Sequence, residues 1–110
     1  MPSEPAAPPP RVWAVTAAYR RAASLQRLLS SLATERPLLQ GAIVVDNGGD
    51  PATARGLQHA PVPVRVLTPG RNLGCGGGVA AALGEGLTGT AATHFWQLDD
   101  DASVRPGALA

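Results

Sequence analysis

The chain has 110 residues, of which 45% are hydrophobic and 15% charged, with a net charge of +1 and a single cysteine, Cys75. That length suits one domain with a real core and is short for two, and the composition excludes a disordered chain. No basic stripe with interleaved aromatics marks a nucleic-acid binder. No apolar run of about 18 residues marks a membrane span, and a lone cysteine without a signal-like start points to a cytoplasmic domain lacking disulfides.

In chain order, residues 1–10 are rich in Pro and Ala and read as a disordered or extended tail, leaving 11–110 to fold. Val12-Trp13-Ala14-Val15 predicts a strand buried on both faces. Leu25, Leu28, Leu29 and Leu32 fall at helical spacing, which predicts a helix from Ser24 to Ala33 with Ser24 as N-cap and Pro37 as stop. Ala42-Ile43-Val44-Val45 predicts a second buried strand running into the turn residues Asp46 to Asp50. A short helix follows over Pro51 to Leu57, with Asp50 as cap and Pro51 in the first position. The third strand lies within Val62 to Leu67. A glycine-rich loop, Gly70 to Gly78, then leads into a small-residue helix over Val79 to Leu87. The fourth strand is His94 to Leu98, and Pro106 predicts a further helix starting near Arg105. Strands alternating with helices predict an α/β fold with a mostly parallel sheet of about four strands.

Ligands of such sheets collect at the carboxyl ends of strands, and the unusual residues of this chain fall there. Asp99-Asp100-Asp101 ends the fourth strand. Two carboxylates about 4 Å apart repel by roughly 4 kcal/mol at an effective dielectric near 20, so a cation is expected to offset them. A divalent metal carrying a phosphorylated ligand is the usual one, and a solvated acidic turn is the plainer alternative. A calcium-binding helix–loop–helix fails, because Val104 and Ala110 stand where Gly and Glu are required. Asp46-Asn47-Gly48 is either a simple turn or places a carboxylate to accept from a nucleobase N–H. Arg71 to Gly78 carries Gly74, Gly76, Gly77 and Gly78 directly before a helix. Without Cβ atoms a backbone approaches a diphosphate closely, and a helix N-terminus favours anions. A flexible loop is the alternative. Gly76-x-Gly78-x-x-Ala81 also matches a dinucleotide fingerprint, although residues 68 to 75 separate it from its strand. His59 and His94 have no partners at metal-ligand spacing, and Cys75, with no nearby His, reads as a small filler.

Together, Val15 to Arg21, Val44 to Gly48, Arg71 to Gly74 with its glycines, and Leu98 to Asp101 resemble the nucleotide-sugar-binding half of a family 2 glycosyltransferase. That family has the Rossmann-like GT-A fold, and the likeness covers nearly everything after Pro10. The Arg-Asn-Leu-Gly run and the Trp-x-Leu-Asp-Asp-Asp ending look most like bacterial galactofuranosyl- and rhamnosyltransferase-like members. The resemblance implies that Asp46 holds the base and that the Ala17-Ala18-Tyr19 turn packs beside it. Arg71, Asn72, Gly74 and Gly76 would line the diphosphate and sugar. Asp99 and Asp101 would hold Mg²⁺ or Mn²⁺, with Asp100 near the ribose. The implied partners are a UDP- or dTDP-linked sugar and a glycan or lipid-linked acceptor, with inversion at the anomeric carbon. The setting would be cytoplasmic, or peripheral at the inner face of a membrane. Family members carry the general base after the metal motif, and residues 102–110 contain no acidic side chain. The chain is therefore expected to be the N-terminal part of the domain, ending after the D-x-D motif and inactive alone. The other readings are an NAD-type oxidoreductase domain, with Gly76, Gly78 and Ala81 on the pyrophosphate and Asp99 on a ribose hydroxyl, and a non-catalytic nucleotide-sugar-binding module.

Overall fold

A computed structural model describes residues 8–110. The tail expected over 1–10 therefore lies outside the described residues for 1–7, and residues 8–10 carry no regular secondary structure. Four strands, β1 (Val12–Ala18), β2 (Leu39–Asp46), β3 (Val64–Leu67) and β4 (His94–Gln97), form one sheet in the order β3-β2-β1-β4. Every pairing is parallel. Three α-helices join them: α1 (Ala22–Leu32), α2 (Pro51–Gln58) and α3 (Gly74–Gly89). The expected α/β sheet of about four strands is therefore present. No helix among the described residues is long and apolar enough to cross a membrane.

Alternation along β1 sends its side chains to two separate cores. Val12, Ala14 and Ala18 pack with Leu25, Leu28, Leu29 and Leu32 of α1 and Leu57 of α2. Val15 and Ala17 pack on the other face with Val79 and Ala82 of α3. α1 and α2 thus cover one face of the sheet and α3 the other. The chain runs outward from β1 through β2 to β3, then crosses the opposite face to place β4 on the free side of β1. The order reverses between β1 and β4, and that is where an open α/β sheet leaves a crevice.

Several boundaries differ from those the sequence predicts. β1 continues to Ala18 because its pairing with β2 persists to Ala18 opposite Asp46. The Ala17-Ala18-Tyr19 segment is accordingly strand end and not turn. α1 starts at Ala22, so Ser24 is not its N-cap; the cap position is Arg21, with no side-chain cap bond. Burying four leucines at about 1.5–3 kcal/mol each outweighs a cap worth about 1 kcal/mol, and burial sets the register of this helix. α2 is capped as expected, Asp50 accepting from the Ala52 N–H at 3.4 Å, with Pro51 in the first position.

The largest difference is at α3, which begins at Gly74 and not at Val79. Most of the expected glycine loop is helix, against a propensity cost of up to about 1 kcal/mol per glycine relative to alanine. Packing explains one of these residues directly. A Cβ on Gly78 would stand 2.6 Å from the Ala17 Cβ and 3.1 Å from the Asn47 side-chain nitrogen. Glycine is therefore what lets α3 lie close on β1.

The helix expected near Arg105 is absent. The Ala108 N–H closes a turn on the Arg105 carbonyl at 3.0 Å, and Gly107 has a φ of 84°. The reason is Glu35, in the 3₁₀ turn Ala33–Glu35 that follows α1. Its carboxylate, 4% exposed, accepts from the N–H groups of Leu109 at 2.8 Å and Gly107 at 3.0 Å. The Leu109 N–H is thereby committed to a side chain and not to the Arg105 carbonyl, its acceptor in a helix from Arg105. Ser31 Oγ accepts from the Val104 N–H at 3.0 Å, so the end of α1 braces the segment after the acidic run at three points.

Two outcomes follow from this packing. Gly78→Ala is expected to destabilise the fold by about 1–3 kcal/mol through overpacking, read as a lowered urea midpoint with unchanged slope. The Leu109 N–H, then the Thr34 hydroxyl, hold the Glu35 carboxyl below its ordinary value of 4.5 despite its burial, with Gly107 and Ala108 assisting. A depressed carboxylate stabilises the fold above its unfolded pKa and loses that contribution as pH falls through the folded value. Urea midpoints should therefore fall on acidification below about pH 4.5, and Glu35→Gln should flatten that dependence while lowering the midpoint at neutral pH.

Candidate active site

A cleft of about 390 Å³ opens at the carboxyl ends of β1 and β4, where the strand order reverses. Its walls are the end of β1 (Ala17, Ala18, Tyr19), the start of α3 (Asn72, Gly74, Cys75) and the acidic run Asp99-Asp100-Asp101. Arg21, Asn47, Val79 and Leu98 complete it. The Leu98 N–H bonds to the Val15 carbonyl at 3.1 Å, so β4 stays tied to β1 up to the first of the three aspartates.

The turn from β1 to α1 aims two side chains at this cleft. Arg20 has a φ of 53°, a left-handed conformation that costs a non-glycine residue roughly 1 kcal/mol or more. Its guanidinium stacks on the Tyr19 ring, 5.6 Å from the centroid. Tyr19 remains 49% exposed at the rim. The next residue, Arg21, reaches the acidic run, with its guanidinium 3.6 Å from Asp100 and 3.7 Å from Asp101. The Asp100 side chain is only 13% exposed against 60% for Asp101. Burial raises the Asp100 pKa and the neighbouring carboxylates add to the rise, while Arg21 opposes it.

Asn47 sets the opposite wall. Its Oδ1 accepts from the Leu73 N–H and its Nδ2 donates to the Gly74 carbonyl, both at 3.1 Å. Asn72 Oδ1 accepts from the Gly74 N–H at 2.8 Å, and Gly74 adopts a φ of 73° that a side chain would strain. An α-helix leaves its first four N–H groups without partners inside the helix. Here two asparagines take those of Leu73 and Gly74, while those of Cys75 and Gly76 have no side-chain acceptor among the described residues.

Of the residues singled out in the sequence, the cleft gathers Ala18, Tyr19, Asn72, Gly74, Asp99, Asp100 and Asp101. Arg71 and Gly76 do not line it; Gly76 lies in the first turn of α3. Asp46 is 3% exposed and lines a separate hollow of about 180 Å³ with Leu57, Val66 and Thr68. Its Oδ1 accepts from the Gly48 N–H at 3.2 Å and the Gly49 N–H at 3.1 Å, as a turn-forming aspartate does. Cys75 is exposed and lines the cleft, so it is no filler. The dinucleotide fingerprint loses its structural basis, because Gly76 and Gly78 lie inside α3 and not in a turn directly after a strand.

Arg21 and Asn47 were missed as site residues. The signal for Arg21 was available: an acidic run calls for a cation, and this one leaves the neighbouring strand. Asn47 was hidden by a turn motif that accounts for it locally.

The acidic run supplies hard oxygen donors suited to Mg²⁺ or Mn²⁺. Among the described residues no three His, Cys, Asp or Glu side chains are grouped to hold a metal alone. Mg²⁺ is commonly held by one or two carboxylates together with substrate phosphates. The donor set fits a cation shared with a diphosphate and does not fit an all-protein cage.

Residues 13–110 match the family described as glycosyl transferase family 2. The chain is also 34% identical over 90 residues to galactofuranosyltransferase GlfT1 of Mycolicibacterium smegmatis. That match covers 82% of this chain and 30% of the relative, so the chain spans less than a third of that protein.

Asn47→Ala would remove both links between the end of β2 and the start of α3, leaving the Leu73 N–H and the Gly74 carbonyl unpaired. A loss of about 1–3 kcal/mol in urea unfolding is expected. Hydrogen exchange should quicken first at residues 73–77.

Proposed function

Because the chain belongs to glycosyl transferase family 2, we propose that it forms the donor-binding part of a glycosyltransferase. It would hold a UDP- or dTDP-linked sugar, with Mg²⁺ or Mn²⁺, for inverting transfer to a glycan or lipid-linked acceptor. One observation carries this reading: the cleft at the strand reversal sets three carboxylates opposite the N-terminus of α3. Carboxylates suit a cation and helix N–H groups suit phosphate oxygens, so the two walls match the two components of a metal diphosphate.

In this assignment Asp99 and Asp101 hold the cation, and Asp100, the more buried of the two partners of Arg21, lies toward the ribose. A bound divalent cation supplies Lewis-acid stabilisation of the charge that builds on the departing diphosphate. The N–H groups of Cys75 and Gly76 donate to diphosphate oxygens, and Asn72 keeps that turn in place through the Gly74 N–H. Arg71, beside Asn72, adds positive charge outside the cleft. Ala18 and Tyr19 form the wall against which the nucleoside packs. Asp46 lies in the separate hollow with Oδ1 engaged in its own turn, so base recognition within the cleft is assigned to Ala18 and Tyr19. A galactofuranosyl donor is the first sugar to test, since GlfT1 carries that activity in its name.

Calorimetric titration of the chain with UDP should give binding that requires Mn²⁺. Asp101→Asn should weaken it at least tenfold, about 1.4 kcal/mol. UDP binding of equal strength without a divalent cation, or metal-independent binding of NAD in its place, would falsify the assignment.

A further inference from the structure

Arg21 already occupies the position where a cation is required. Its guanidinium lies between Asp100 and Asp101, and both contacts are longer than a hydrogen bond. The side chain is 57% exposed. Its backbone, by contrast, is fixed, since the Arg21 carbonyl accepts the Leu25 N–H at 2.9 Å in the first turn of α1. The result is a charged arm on a rigid pivot, holding its partners loosely. The pair with Asp101, exposed on both sides, is of a weak kind, whereas a divalent cation on Asp101 interacts with twice the charge and is helped by the diphosphate it carries. Asp101 cannot serve both at full strength.

We propose that Arg21 is a resident counter-cation: it neutralises Asp100 and Asp101 before the metal arrives, yields Asp101 to the metal, and then pairs with the diphosphate. The inference rests on the metal-dependent donor site described above. Arg21 lines the same cleft as the N-terminus of α3, so a released guanidinium stays beside the phosphates that those N–H groups receive. Guanidinium and phosphate form strong charge-assisted pairs. Without such a placeholder, three adjacent carboxylates would repel one another and also repel an incoming nucleotide diphosphate. With a permanently bound arginine, the metal would be shut out. A loose pair avoids both outcomes.

The test is a Mn²⁺ titration of the full chain, followed by the electron paramagnetic resonance signal of free Mn²⁺, for wild type, Arg21→Gln and Arg21→Lys. Without nucleotide, Arg21→Gln should bind Mn²⁺ roughly three- to fivefold more tightly, the range expected when an exposed ion pair no longer competes. At saturating Mn²⁺, the same variant should bind UDP several-fold more weakly. Arg21→Lys, which keeps the charge, should stay near wild type in the first measurement. Unchanged or weaker Mn²⁺ binding by Arg21→Gln, with wild type binding normally, overturns the exchange and makes Arg21 a fixed organiser of the carboxylates. Equal tightening by both variants also overturns it, since charge would not be the cause. If wild type and variants alike bind no Mn²⁺, with or without UDP, the donor-site assignment itself fails and this inference falls with it.

Discussion

Strand β1 is hydrogen-bonded in parallel on both sides, to β2 and to β4, and the rest of the molecule follows from that constraint. Parallel neighbours cannot be joined by tight hairpins, so each connection must cross a face of the sheet. Those to β2 and β3 use the face covered by α1 and α2, and the one to β4 uses the face covered by α3. Because they diverge, nothing covers the point above the end of β1 between the two directions. Tyr19, Arg21 and the three aspartates meet there as a consequence of topology, not of adjacency in the chain.

Two carboxylate arrangements in this small domain show how surroundings divide one chemistry into two uses. Glu35 is buried and accepts from backbone N–H groups, which holds its pKa down and makes it a clamp on the last residues. Asp100 is partly buried among other carboxylates, which pushes its pKa up against the opposing pull of Arg21. The clamp and the acidic run are coupled through the chain. Ala102, Val104 and Leu109 pack on the core beneath α1, and Ser31 and Glu35 hold the same segment by its backbone. The run therefore projects from a strand tied to β1 on one side and from a braced segment on the other.

The glycines of α3 show where local preference and tertiary demand part. Seen alone, four glycines ahead of Val79 signal a loop, because each weakens a helix. Within the fold, Asn47 holds the first turn by two hydrogen bonds, and Gly78 admits the helix to within contact of Ala17. Neither partner is near in sequence, so no local pattern reports them. The same holds at Arg105, where proline signals a helix start but Glu35, some seventy residues earlier, captures the Leu109 N–H that a helix would use and also holds that of Gly107.

By itself the sequence determined the layered α/β class, the four strands, the capped second helix and the acidic run at a strand end. These are legible because buried strands, leucine spacing and Asx-Pro caps act over a few residues. Only the tertiary structure decided that α3 begins at Gly74, that the final segment stays non-helical, and that Arg21 and not a distant residue faces Asp100 and Asp101. It also decided that the Asp46 carboxylate lines a separate hollow while its neighbour Asn47 borders the cleft. The physical reason is common to all four. Each depends on which groups the parallel crossovers bring within a few ångströms, and that proximity is a property of the folded sheet that no window of sequence contains.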